Sequence, residues 1–192
     1  MNTIQTLITG YAKQLPNGWQ ASSTVVYIES NGLRIIADPG FDRASLLKAL
    51  ERARIQIKNI DYVFLTHGHP DHSLLAGIFE NATILDELYC YHQDLIFAHN
   101  GLVPHTDLQI IRTPGHMEEH CSLLVPTLDG TYAIAGDVFW WPDNEAQIVD
   151  INKPDFDPEH LDQAKLTKSR QTLLSGADYI IPGHGELFKV DK

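Results

Sequence analysis

The stretch FLTHGHPDHS, residues 64–73, sets three histidines and an aspartate within six consecutive positions, directly after a short apolar run. No other feature limits the fold so tightly. In an extended chain residues i and i+2 project the same way, so His67 and His69 can converge on one ion. Asp71 and His72 follow where the chain turns into a helix, and can face a second ion beside the first. Neutral imidazoles and a carboxylate are the donors expected around zinc, iron or manganese. The competing reading is a solvated histidine-rich loop.

The rest of the chain favours the metal. Three more candidate ligands lie far downstream: His116 in RTPGHMEEH, Asp137 in AIAGDVF and His184 in IIPGHGE. Each follows a strand-like run, and each is preceded by glycine, which permits a tight turn that lifts the side chain off the strand end. Any one of them alone reads more naturally as a surface group. Together the seven residues supply two ligand sets with one carboxylate left to bridge. A fold that unites residues 67 to 184 must gather several strand ends in one place, where function is usually carried.

The flanking pattern supplies those strands. STVVYIESNGLRIIADPG predicts two strands around Asn31-Gly32, a dipeptide suited to the positive φ angles of a two-residue hairpin. Asp42 is a candidate N-cap for a helix with Leu46, Leu50, Ala53 and Ile57 on one face. Tyr62–Leu65 is a strand, and a second helix is expected from near His72 through Leu74, Leu75, Ile78 and Phe79. Further strands are expected at Thr83–Leu85, Leu108–Arg112, Cys121–Val125 and Thr131–Ala135, the last two joined by a turn at Asp129-Gly130. Asp157 as N-cap, Pro158 at the first position and Gly176 past the end predict a helix over Pro158–Ser175. A last strand runs from Asp178 to Ile181. Hairpins first and helix alternation later give a mixed α/β chain. With 192 residues and no linker or repeat, residues 1–192 read as one domain.

Charge and composition weigh against some partners without excluding them. A net charge of −11 disfavours a purely electrostatic grip on nucleic acid or anionic lipid unless a local basic groove or bound dications intervene. No run approaches the ~20 apolar residues of a membrane span, and MNTIQTLITGYAK lacks the basic-then-apolar pattern of an export leader. Cys90 and Cys121 make no metal-type spacing, so free thiols in a reducing cytoplasm are expected. Nothing in the pattern specifies an oligomeric state.

In order and in local context, the seven residues resemble the metallo-β-lactamase superfamily, over most of the chain from the first hairpin to PGHG. The resemblance implies a four-layer αββα sandwich with mixed sheets and a metal site along one edge. It assigns His67, His69 and His116 to a first metal, Asp71, His72 and His184 to a second, and Asp137 as the bridge. Asp38, in RIIADPG, matches the family's early aspartate, which orients the site from behind its ligands; a turn or cap residue is the alternative. His69 stands where the diiron flavoprotein branch carries a carboxylate, so the hydrolytic branch fits better. A bridging aspartate is typical of thioesterases, lactonases and nucleases and atypical of true β-lactamases. The short chain and its ending, S-R-x-x-L-L-x-x-A-D-Y-I-I-P-G-H-G, look most like the compact branch of metallo-β-lactamase domain-containing proteins, which includes an RNA-cleaving member.

The resemblance therefore implies a dinuclear hydrolase, with two divalent metals (zinc, or iron or manganese) sharing a hydroxide that attacks a small ester, thioester or lactone-like substrate. Asp71 is placed to handle the nucleophile's proton. His120 is a candidate proton donor to the leaving group, or else a structural histidine. RNA remains an alternative partner, and a mononuclear iron persulfide dioxygenase-like enzyme is a further one. Phe139, Trp140 and Trp141, directly after Asp137, read first as core or subunit-interface residues, with a wall of the substrate pocket as the alternative. The acidic loop bearing Asp143, Glu145, Asp150, Asp155 and Asp157 fits a neutral or cationic substrate better than RNA.

Overall fold

In the computed structural model, residues 1–155 and 162–191 are described. The elements in chain order are β1 (Thr3–Ile8), β2 (Tyr11–Leu15), β3 (Gly18–Ser22), β4 (Val25–Ser30), β5 (Leu33–Ala37), α1 (Arg43–Arg52), β6 (Tyr62–Phe64), α2 (Pro70–Ser73), β7 (Thr83–Leu85), β8 (Tyr89–His92) and β9 (Leu95–Ala98). The second half continues with β10 (Gln109–Arg112), β11 (Cys121–Thr127), β12 (Gly130–Trp140), α3 (Gln163–Gly176), β13 (Tyr179–His184) and β14 (Phe188–Lys189). One sheet has the order β1-β4-β5-β6-β7-β8-β9 and the other β10-β11-β12-β13-β14, while β2 and β3 form a separate hairpin. Both large sheets are mixed: β5-β6-β7 and β12-β13 pair in parallel and their neighbours antiparallel.

Period-two alternation along these strands creates the layers. Val26, Ile28, Ile35, Ala37 and Phe64 of the first sheet face Leu123, Val125, Ile134 and Ile181 of the second, forming the central core. The residues between them point outward. Val25, Tyr27, Ile36 and Val63 pack under Leu46 and Leu50 of α1. Ala133, Ala135 and Ile180 pack under Leu166 and Leu173 of α3. Helix, sheet, sheet, helix is the αββα sandwich that the family resemblance implies.

Local signals act where expected, with informative exceptions. Asn31 and Gly32 take φ of 52° and 82°, as the hairpin between β4 and β5 demands. Asp42 caps α1, accepting from the Ser45 amide at 3.1 Å. That helix stops at Arg52, because Arg54 turns the chain with φ of 58°, so Ala53 is its C-cap and Ile57 lies beyond it. The turn between β11 and β12 is Leu128-Asp129, one residue earlier than expected, since Gly130 already pairs with Thr127.

The helix expected after His72 is only the single turn α2, followed by a separate 3-10 turn at Ala76–Ile78. Backbone groups there bond outside the helix: the Gly40 amide donates to the His72 carbonyl and the Leu75 amide to the Gly40 carbonyl. Leu75, Ala76 and Phe79 still bury beneath α1's side of the sheet. The apolar spacing thus reports packing rather than a continuous helix. α3 begins at Gln163, with Asp162 accepting from the Lys165 amide at 3.0 Å, and ends on Gly176. The cap expected at Asp157 and Pro158 lies outside the described residues. Among the described residues no helix is long and apolar enough to cross a membrane.

Candidate metal centre

The site forms where the parallel strands of both sheets end. Asp38, just past β5, holds a φ of 45°, a left-handed conformation that aspartate tolerates better than most residues. Its Oδ1 accepts the Thr66 amide at 2.8 Å, and its Oδ2 lies 2.7 Å from Thr66 Oγ1 and 2.8 Å from His72 Nδ1. A carboxylate only accepts, so the hydroxyl proton of Thr66 points at Asp38. His67 Nδ1, 3.0 Å from that hydroxyl oxygen, must then carry its own proton and donate it. The same reasoning protonates Nδ1 of His72. With Nδ1 engaged in this way, Nε2 is the nitrogen that each ring turns to the cavity, and in the neutral ring it is the unprotonated one, the form in which histidine binds a metal.

Asp137 lies inside β12, where the pairing with β13 is irregular between Ile134 and Gly136 and again between Gly136 and Trp140. The irregularity carries its carboxylate into the site. Its Oδ2 faces His116 Nε2 at 3.5 Å and His67 Nε2 at 4.0 Å, and His116 Nε2 is 3.0 Å from His69 Nδ1. Its Oδ1 faces His72 Nε2 at 3.2 Å and His184 Nε2 at 3.7 Å, while His184 Nε2 is 3.2 Å from Asp71 Oδ2. One ligand atom from each of His67, His69, His116 and Asp137 falls within 4.8 Å of the others, and the same holds for Asp71, His72 and His184. All seven residues that the motifs single out are thus brought together, with one oxygen of Asp137 toward each set.

The donors fit divalent ions. His67 Nε2, His72 Nε2 and Asp137 Oδ1 are buried without a well-directed hydrogen bond, a costly arrangement unless a cation completes it. Proton affinities within the metal-free cluster are divided. Burial, together with the neighbouring His72, holds His67 well below the ordinary histidine value. Burial also pushes His72 downward, but Asp137 and Asp38 on either side outweigh it and raise His72 well above. Asp137 stays well below the carboxylate range despite its burial, because His72 and His184 flank it. Asp71 is likewise lowered, His184 outweighing the effect of burial.

Glycine gives the approach its tightness, though not always through φ. Gly136 has φ of 51°, and Gly115 has φ of 137°. Gly183 has an ordinary φ, yet a Cβ there would lie 1.9 Å from Asp137 Oδ1. Gly68, inside the histidine cluster, has open space where a Cβ would be and no positive φ, so the turn does not depend on it.

His120 departs from the proton donor expected of it. Its ring is fully buried, stacked on His67 with centroids 4.9 Å apart. Its Nε2 accepts the Asp137 amide at 3.2 Å, leaving the proton on Nδ1, which meets Thr113 Oγ1 at 3.0 Å. Thr113 in turn meets Ser122 Oγ at 2.8 Å. Burial holds His120 well below the usual histidine range, with His116 adding to the effect. The ring braces the backbone that carries Asp137.

A cavity of about 710 Å³ opens over the candidate ligands, with Asp71, His116, Asp137 and His184 on its floor and Tyr11, Leu15, Trp19, Phe41 and Trp140 among its walls. Of the three aromatics after Asp137 only Trp140 lines it; Phe139 and Trp141 are buried beside α3. The opposite wall comes from the β2–β3 hairpin, whose Trp19 meets Trp140 edge-on at 6.0 Å. Among the described residues the acidic loop does not line the cavity. Asp143 accepts the Ala12 amide, Glu145 pairs with Lys153, and Asp155 is buried against His116 and Trp140. Asp155 is the participant that sequence reasoning missed as an individual, since one carboxylate in an acidic loop carries no local signal.

Fold and donor set together define a metallohydrolase-type centre, and the comparisons agree. The profile of the metallo-beta-lactamase superfamily matches residues 17–112. The chain belongs to the metallo-beta-lactamase superfamily and is an enzyme of its metal-dependent hydrolase class. It is 32% identical over 202 residues to metallo-beta-lactamase domain-containing protein 1 of Xenopus laevis, covering 100% of this chain and 83% of that protein. Among solved structures it is similar to a candidate metallo-beta-lactamase from Thermotoga maritima, with a TM-score of 0.72, 24% identity and coverage of 98% and 99% of the two chains. A dizinc quorum-quenching lactonase, AidC, matches with a TM-score of 0.65 at 16% identity, over 88% of this chain and 74% of that one.

Proposed function

We propose that the protein hydrolyses a small, largely neutral ester, thioester or lactone at a dinuclear metal centre. The observation that carries this reading is the division of Asp137, one oxygen toward His67 and His116 and the other toward His72 and His184, at the floor of an aromatic-walled cavity. Two bound divalent ions, zinc in the first instance, would supply water acidified from about 15.7 toward neutrality and polarise the electrophile. The chain's own residues do the rest. Asp71, part-exposed in the cavity and kept ionised by His184, is placed to accept and return the nucleophile's proton. Trp19, Phe41, Leu15 and Trp140 hold the apolar part of the substrate over the floor. No lysine or arginine lines the cavity among the described residues, which favours an uncharged acyl substrate over a polyanion. Cys90 and Cys121 are both free and buried, in keeping with a reducing cytoplasm.

The test is metal analysis of protein purified without added metal, followed by a panel of thioester, lactone, phosphodiester and single-stranded RNA substrates beside an Asp137→Ala control. Two equivalents of divalent metal and ester-type turnover lost in the control are expected. Cleavage of RNA and bis-p-nitrophenyl phosphate with every ester untouched would establish the nuclease reading instead. A single iron per chain would point to the persulfide-oxidising chemistry.

A further inference from the structure

Asp155 is buried beneath the metal floor and joins two groups of different kinds. Its Oδ2 lies 2.8 Å from His116 Nδ1, and its Oδ1 accepts the Trp140 indole N–H at 2.8 Å. The carboxylate accepts a hydrogen bond from the Nδ1–H of His116, so Nε2, which faces Asp137 and His69, is the nitrogen left to bind a metal in the neutral ring. Trp140 itself is a wall of the cavity, 6.1 Å from His184 between ring centroids. A ligand residue and a substrate wall therefore share one carboxylate.

The loop that delivers Asp155 is fastened deliberately. Arg170, buried on α3, directs its guanidinium at backbone: Nε donates to the Val138 carbonyl at 2.9 Å, Nη1 to those of Ile151 and Lys153. These bonds tie residues 151–153 to β12 two positions before Trp140. Lys153 Nζ donates to the Trp140 carbonyl at 2.9 Å and lies over both tryptophan rings. Trp140 and Asp155 are thus held in one register by α3.

We infer that Asp155 and Trp140 are positioning residues for His116, setting the orientation and basicity of this ligand and linking the cavity wall to the metal affinity of the first ligand set. This rests on His116 being a metal ligand, and on nothing about the substrate. The groups that hold a ligand histidine's second nitrogen typically change metal affinity by about 10- to 100-fold when removed. Asn at position 155 keeps the shape but cannot accept from both partners as an anion does.

The experiment measures zinc affinity by chelator competition and the visible spectrum of the cobalt-substituted protein for wild type, Asp155→Asn and Trp140→Phe. Asp155→Asn is expected to weaken the tighter zinc site by about 10- to 100-fold and to alter the cobalt spectrum. Trp140→Phe keeps an aromatic wall and removes only the N–H, so a smaller loss in the same direction is expected. Wild-type affinity and spectrum in both variants would overturn the inference, as would a lowered melting temperature of the metal-free protein with no change in affinity. If Asp155→Asn does not fold, Trp140→Phe decides alone. Wild-type protein that takes up no zinc would sink the metal reading itself, a result distinct from variants that bind zinc as wild type does.

Discussion

Gly183 offers the sharpest test of how the centre is packed. Its backbone φ is ordinary, so alanine there adds no conformational strain and only a methyl group. That methyl would lie 1.9 Å from Asp137 Oδ1 and 3.0 Å from His72 Cε1, where ordinary contacts begin at 3.4 Å. One side must therefore yield by about 1.5 Å against the carboxylate, a displacement well beyond the roughly 0.5 Å within which a functional site must be held. The glycine cannot simply retreat. Its carbonyl accepts from the Thr24 amide and hydroxyl, and a Cβ on Gly10 would already lie 2.1 Å from that same oxygen. Overpacking of this kind costs about 1–3 kcal/mol, which for a chain of this length lowers Tm by roughly 2–12 °C. The larger effect falls on function, because a misplacement near 1 Å can cost about 100-fold in rate. Gly183→Ala is expected to lose at least that much turnover and to bind zinc more weakly, read by chelator competition and by thermal melts with and without EDTA. Gly68→Ala is the control: its methyl meets nothing within 4 Å, and its stability should stay within about 0.5 kcal/mol of wild type. Wild-type metal binding in Gly183→Ala, or equal damage in the two variants, would refute the packing account.

Other consequences can be checked alongside. Asp38→Ala removes the acceptor of three buried bonds, to the Thr66 amide, the Thr66 hydroxyl and His72, and should cost about 3–5 kcal/mol in a denaturant melt; Asp38→Asn, which tolerates the positive φ, should cost less. The metal-free protein should be most stable near pH 6.5. His67 and His120 are held neutral, so below about that pH the unfolded chain takes up protons the folded one refuses, and stability falls with pH. His72 and His116 are raised, burial being outweighed in the first by Asp137 and Asp38 and in the second by Asp155, so their contribution is lost as pH rises through the folded values. Urea melts in EDTA from pH 5 to 9 should show that maximum, and a monotonic profile would contradict it. Trp19→Ala removes an exposed cavity wall and an edge-on ring contact worth about 0.5–1.5 kcal/mol, so KM should rise roughly 2- to 10-fold with kcat and Tm little changed.

The parts of this protein that are local in the chain are legible in the sequence. Asn31-Gly32 needs only its own φ angles to specify a hairpin, and Asp42 needs only the amide of Ser45 to cap a helix. The seven candidate ligands stand out by donor chemistry, because histidines and aspartates set directly after apolar strands are costly when buried unless something binds them. Spacing alone misleads where backbone bonds leave the element, as after His72, where Gly40 takes the bonds a longer helix would have kept. It is silent on the β2–β3 hairpin, whose Trp19 gains its role only by meeting Trp140.

What the sequence by itself determined is therefore the inventory of candidate ligands, its order and the kind of strand-ended scaffold needed to unite it. Only the tertiary structure decided that Asp137 turns one oxygen to each ligand set, that His120 braces the Asp137 amide rather than facing the cavity, and that Asp155 serves His116 across 39 positions of chain. The reason is physical. A cap or a turn is decided by neighbours a few residues away, whereas these contacts depend on the register of β12 against β13 and on a buried arginine of α3, neither of which leaves a periodic mark in the chain.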